Sequence, residues 1–213
     1  MRLAGGSRRP PYKLLSLLLQ YPDDELCGAR AEIAQAIAEL PRSPERKALE
    51  RFLAHFSATP SDELRQQYVA TFDLQKRSSL YLTFFTEGDT RKRGMALLRL
   101  KRLYAAAGFP MDGRELPDYL PAMLEFAHLA PPGHGAQVLA EHRSGLELLR
   151  MHLRDSRSPY EHLIDGVCAG LPGLALPELE SVRRMLQDGP PSEEVGLQPF
   201  APPEVMPSMG ARR

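Results

Sequence analysis

Tryptophan is absent from this 213-residue sequence, cysteine occurs only twice, and aromatic residues make up 7%. A chain so short of flat side chains offers a poor stacking platform for single-stranded nucleic acid. Net charge is lacking too, since 27 basic residues balance 27 acidic ones. That balance argues against a uniformly basic surface and so against nucleic acid as the partner, leaving room for local patches only. Cys27 and Cys168 lie far apart and neither belongs to a Cys-x-x-Cys pair. They read as buried or half-buried thiols in a reducing compartment.

Long apolar runs are missing as well. Ser7-Arg8-Arg9 followed by Leu14–Leu19 superficially resembles an export signal, but Ser16 interrupts the run and Gln20-Tyr21-Pro22 ends it. An export segment needs about 7–15 apolar residues and a bilayer span about 20. Leu14–Leu19 therefore reads as the first core helix, and the expected product is soluble and cytoplasmic. Phosphate-binding loops of the Gly-x-x-x-x-Gly-Lys and Gly-x-Gly-x-x-Gly types do not occur, nor does His-Glu-x-x-His. Glu125-Phe-Ala-His128 has the spacing of half a helical di-iron site, but no other histidine has a glutamate three residues before it. No catalytic set and no metal site are expected.

What is present is helical rhythm. Apolar side chains recur at helix spacing behind capping signals such as Asp23 and Ser43-Pro44-Glu45. Helices are expected from Pro11 in a first turn through Leu14–Leu19, after Asp23, after Ser43, after Ser61, over 91–107, and near 118–129, 136–153, 159–170 and 177–187. Pro131-Pro132-Gly133 and Leu171-Pro172-Gly173 punctuate the later ones. Residues 80–86 hold β-branched and aromatic residues, and with no partner strand in sight they read as a short helix or an extended apolar segment. The pattern predicts an all-α, single-domain bundle of eight to nine helices over 12–187. Residues 1–11 form a polar tail. Residues 188–213 recur in proline without helical period and read as a disordered tail.

Two stretches differ in charge. Between residues 90 and 107 stand Arg91, Lys92, Arg93, Arg99, Lys101 and Arg102, with no acid. That run reads either as a solvated face or as a contact for an anionic partner, with Arg91, Lys92 and Arg93 foremost. Between 111 and 130, Asp112, Glu115, Asp118 and Glu125 outweigh Arg114. In Glu115-Leu-Pro-Asp-Tyr-Leu-Pro121, Glu115 and Asp118 stand at a helix start beside apolar residues. Helix capping by Asp118 and pairing with a cationic peptide are both compatible with that pattern.

Leu80-Tyr-Leu-Thr-Phe-Phe-Thr-Glu-Gly-Asp-Thr-Arg-Lys-Arg-Gly-Met-Ala-Leu-Leu98 closely resembles the signature of the nitrate reductase delta-subunit family, the NarJ-type molybdenum-cofactor assembly chaperones. Glu115–Pro121 is similar to that family's second motif, and Leu18-Leu-Gln-Tyr-Pro22 to its early element. The likeness spans roughly residues 12–187. It implies a TorD/DmsD-like helical fold, no catalysis, and no cofactor of the chain's own. The implied partner is the apo catalytic subunit of a respiratory nitrate reductase, bound through its basic N-terminal segment until the molybdenum cofactor is inserted. The membrane is then met only through the client complex.

On this reading Tyr81, Leu82, Phe84, Phe85, Leu120 and Leu124 line an apolar groove. Pro117 and Tyr119 lie beside it, and Glu115 and Asp118 pair with client cations. Relatives usually carry His where this chain has Tyr119, which predicts weaker pH dependence of client binding. Two other functions stay open at this point. One is a nucleotide- or molybdopterin-binding assembly factor gripping phosphate with Arg91, Lys92 and Arg93. The other is a permanent structural subunit of the reductase.

Overall fold

A computed structural model describes residues 10–111, 113, 115–189 and 191. The expected N-terminal tail up to residue 9 and almost all of the proline-rich tail lie outside the described residues. Twelve α-helices occur among the described residues: α1 Tyr12–Leu18, α2 Asp24–Gly28, α3 Arg30–Glu39, α4 Pro44–Ala58, α5 Ser61–Tyr68, α6 Leu82–Glu87, α7 Arg91–Ala106, α8 Leu120–Leu129, α9 His134–Glu141, α10 Arg143–Asp155, α11 Glu161–Ala169 and α12 Leu176–Asp188. After α5 the chain continues through a π-helical turn, Val69–Asp73, and a 3-10 turn, Lys76–Ser78.

The helices begin where the side chains can satisfy free amides. Asp23 accepts from the Leu26 amide at 2.8 Å and Ser43 from the Arg46 amide at 3.1 Å. The helix count exceeds the expectation for identifiable reasons. The segment after Asp23 divides at Ala29, and the segment expected as 136–153 divides at His142, whose Nδ1 lies 2.9 Å from the Val138 carbonyl. Residues 82–87 form a helix of their own, ended by Gly88 at φ 58°. A β-carbon at Gly88 would lie 1.6 Å from the Pro191 carbonyl oxygen, so only glycine fits there.

Burial explains the architecture. α4 packs most extensively against α11, and α1 against α8. α8 is apolar nearly all round, burying Leu120, Pro121, Met123, Leu124, Phe126 and Ala127. Around it Leu15, Leu49, Leu64, Leu82, Leu149 and Leu163 reach zero exposure and merge into one core. Helices α8 and α9 approach so closely that a β-carbon on Gly135 would lie 2.1 Å from the Ala127 α-carbon. Cys27 and Cys168 are both buried free thiols, as expected, and burial pushes Cys168 up to about 11.

Candidate functional site

The two stretches carrying the longest sequence signals meet directly. Tyr81 and Tyr119 form an isolated antiparallel bridge. The Leu82 amide donates to the Asp118 carbonyl at 3.0 Å, and the Leu120 amide to the Leu80 carbonyl at 2.8 Å. This pairing explains the mixed character of residues 80–86: an extended entry through Tyr81, then helix α6. It also sets Tyr81 and Tyr119 on the same side of the junction, with ring centroids 5.3 Å apart.

From that pair a row of tyrosines extends. The Tyr119 and Tyr68 hydroxyls lie 3.5 Å apart, and the Tyr68 hydroxyl donates to the Leu19 carbonyl at 3.2 Å. Tyr21 packs edge-on against Tyr68 at 5.6 Å between centroids. The early Leu-Leu-x-Tyr-Pro element thus joins the same patch. Tyr68 is buried and braces the row, Tyr81 and Tyr119 are half-buried, and Tyr21 and Leu116 are exposed at 46% and 43%. Glu115 is exposed at one end, with the Tyr81 hydroxyl 3.5 Å from its Oε2. Exposed Asp73, closing the π-helical turn, is near enough to bias Tyr68 and Tyr119 electrostatically. Tyr68 and Asp73 escaped the sequence reading as site residues, and Tyr21 entered it only within the early element, because contacts between segments far apart in the chain leave no local pattern.

The row stays neutral. Burial raises the Tyr119 hydroxyl above the ordinary phenol value, contact with Tyr68 opposes that, and Glu115 and Asp73 add to it. Tyr81 is raised by burial first and Glu115 second. No proton leaves these groups near neutral pH. A ligand held by this row is expected to bind with flat affinity between about pH 6 and 8, measurable by titration in matched buffers.

Asp118 differs from expectation. It is fully buried rather than placed on a lip, and it does not cap its own helix. Its Oδ2 instead accepts from the Thr83 amide at 3.3 Å and the Thr83 hydroxyl at 2.5 Å, capping α6 from across the bridge. Arg93 completes the knot. Its Nη2 lies 3.6 Å from Asp118, its Nε donates to the Thr83 hydroxyl at 3.3 Å, and its Nη1 reaches Asp89 at 3.4 Å. Arg93 therefore ties α7 to the junction and does not face outward as an anion grip. Arg91 and Lys92 are exposed.

The expected groove floor is corrected too. Leu120 and Leu124 of α8 and Leu82 of α6 have zero exposure because all three are packed into the core, and Pro117 is buried with its carbonyl accepting the Tyr104 hydroxyl at 2.8 Å. Half-buried Phe84 and buried Phe85 line a different space, an apolar cavity of 230 Å³ walled by Leu148 and His152 of α10 and by Met185 and Leu186 of α12. A wider polar cleft of 680 Å³, lined by His55, Gln67, Arg154, Arg157, Ser158 and His162 among others, contains none of the expected residues. Glu115 and Asp118 line neither space.

Residues 31–164 match the family described as nitrate reductase delta subunit. The chain belongs to that family. A probable nitrate reductase molybdenum cofactor assembly chaperone, NarJ, of Bacillus subtilis is 36% identical over 174 residues, covering 80% of this chain and 93% of the relative. The chaperone of the same name from Escherichia coli K12 is 32% identical over 154 residues, 71% of this chain and 65% of the relative. A nitrate reductase-like protein, NarX, of Mycobacterium tuberculosis is 32% identical over 157 residues, which make up 24% of its length.

In this delta-subunit chain the three segments that carry the family likeness are held as one unit: the bridge joins the second motif to the first, Arg93 anchors α7 to both, and Tyr68 links them to the early element. No helix among the described residues is long and apolar enough to cross a membrane. Glu125, whose spacing to His128 matches half a di-iron site, pairs with Lys13 at 3.0 Å.

Proposed function

We propose that this delta-subunit chain is a non-catalytic assembly chaperone that holds the N-terminal segment of the apo catalytic subunit of a respiratory nitrate reductase. It binds during molybdenum cofactor insertion and leaves before the enzyme works. The names of the relatives, assembly chaperones of nitrate reductase, support the assembly role. The observation that carries the binding mode is the meeting of all three likeness segments in one tyrosine row flanked by Glu115 and Asp73.

That row suits a basic, partly apolar peptide. Tyrosine offers large ring area with few rotatable bonds and a polar tip, so it covers a partner at low entropic cost. Ring faces attract client Lys and Arg side chains, and the two carboxylates reinforce that attraction. Burying the apolar side of the client contributes at roughly 25 cal/mol per Å², less the cost of ordering it. Micromolar affinity requires no chemistry. The buried Asp118 knot does not touch the client; it fixes the relative position of Tyr81 and Tyr119.

Because the chain lacks tryptophan, a tryptophan-bearing peptide of the client N-terminus can be titrated by fluorescence without background. Glu115→Gln is expected to weaken binding about two- to fivefold, the scale of one exposed ion pair. Its helical circular dichroism should match that of the unsubstituted protein. Equal affinities would remove Glu115 from the contact.

A further inference from the structure

Helix α7 is amphipathic in an unusual sense: its outermost line is not simply polar. With 3.6 residues per turn, Arg91, Met95, Leu98, Arg102 and Ala105 fall along one outward line. The inner line is accounted for by buried Leu100 and Tyr104 and half-buried Leu97 and Leu103. On the outward line Met95 is 68% exposed and Leu98 40%, two apolar side chains one turn apart and bordered by cations. Lys92 and Arg99 flank the outward line on one side and Lys101 on the other. The helix has no acid of its own. Acids on neighbouring segments are already engaged, Asp89 with Arg93 and Glu141 with Arg99. Lys92, Lys101 and Arg102 make no ion pair among the described residues.

We propose that the outward face of α7 docks the protein peripherally on an anionic lipid surface. The shape favours a bilayer over an acidic protein. The exposed apolar side chains stand at the crest of a convex helix, where they can enter the headgroup boundary, while the flanking cations reach sideways to phosphates. Charge complementarity decides the lipid class, since Lys92, Lys101 and Arg102 make no ion pair among the described residues and zwitterionic headgroups would not hold them. The tyrosine row that carries the proposed client contact shares no residue with this face, so the chaperone could stay at the membrane with its client bound.

The test is sedimentation of the full chain with vesicles. Vesicles containing phosphatidylglycerol should carry the protein down, and pure phosphatidylcholine vesicles should not. Raising the salt should release it, because the screening length contracts to a few ångströms. Met95→Asp should lower the partition coefficient about tenfold or more. Lys101→Gln and Arg102→Gln should each lower it about fivefold. All three substitutions lie on the surface, and their affinity for the client peptide should be unchanged, which keeps this test separate from the client reading. Failure of the unsubstituted protein to sediment with anionic vesicles, as an acidic protein partner would produce, overturns the proposal. So does sedimentation that Met95→Asp and Arg102→Gln leave intact.

Discussion

Asp118→Ala is expected to destabilise the protein by about 3 kcal/mol, the lower end for breaking a buried pair by removing one partner. For a domain of this size that corresponds to a fall in melting temperature of roughly 6–12 °C. The reason lies in what the substitution leaves behind. The Thr83 amide and hydroxyl lose their acceptor, and Arg93, only 18% exposed in its side chain, loses its innermost carboxylate. The first turn of α6 is freed, and α7 loses its tie to the bridge. Asp118→Asn separates the contributions, since the amide oxygen can still accept from Thr83 while the attraction to Arg93 disappears. Its loss should be about half as large. Thermal melts followed by circular dichroism at neutral pH decide it. A melting temperature unchanged by Asp118→Ala would mean that the knot stabilises nothing.

Tyr119→Ala is expected to weaken the client peptide about 10- to 30-fold, in the range of a tyrosine at the centre of an interface. Tyr119 occupies the middle of the row, with Tyr81 on one side and the Tyr68 hydroxyl on the other. Removing the ring takes away its own contact area and leaves both neighbours without lateral support. Tyr119→Phe keeps the ring and loses only the hydroxyl, so its affinity should stay within about threefold of the unsubstituted protein, the scale of one modest hydrogen bond. Tyr119→His introduces a group with an ordinary titration near pH 6.5. Its imidazolium would repel a cationic client, so binding should weaken on acidification where the unsubstituted protein stays level. Peptide titrations of the three variants over the same pH range distinguish ring area, hydroxyl and charge.

Much of the helical plan is legible in the sequence because its determinants are local. Asp23 and Ser43 cap the helices they precede, and Gly108 stands just past Ala107, the C-terminal cap of α7. The divisions at Ala29 and His142 were not legible, since neither is a proline or glycine and helical periodicity runs on across both. The candidate site was legible only in part. Glu115, Tyr81 and Tyr119 lie together, Glu115 exposed and the two tyrosines half-buried. Asp118 could be recognised as a capping residue, but the helix it caps lies 35 residues earlier in sequence. That assignment depends on the Tyr81–Tyr119 bridge, a single non-local pairing with no alternating pattern to announce it. Leu82, Leu120 and Leu124 looked like a groove floor because they are apolar and adjacent to acids. Leu120 and Leu124 are core because they lie on the buried side of α8, whose Glu125 and Leu129 are exposed, and Leu82 is buried at the start of α6. Tyr21 stands in the early Leu-Leu-x-Tyr-Pro element, but its link to the site is visible only when folding packs it on Tyr68, which in turn meets Tyr119.

The central claim is that a neutral tyrosine row with a carboxylate at its edge receives the basic leader of an unfinished reductase subunit. Fluorescence titration of that tryptophan-labelled leader into the full chain and into Tyr119→Ala is the most direct measurement. The account predicts saturable micromolar binding, level between about pH 6 and 8 and lost at least tenfold in the variant. A leader that does not bind, or that binds the variant equally well while the variant remains folded, would contradict it.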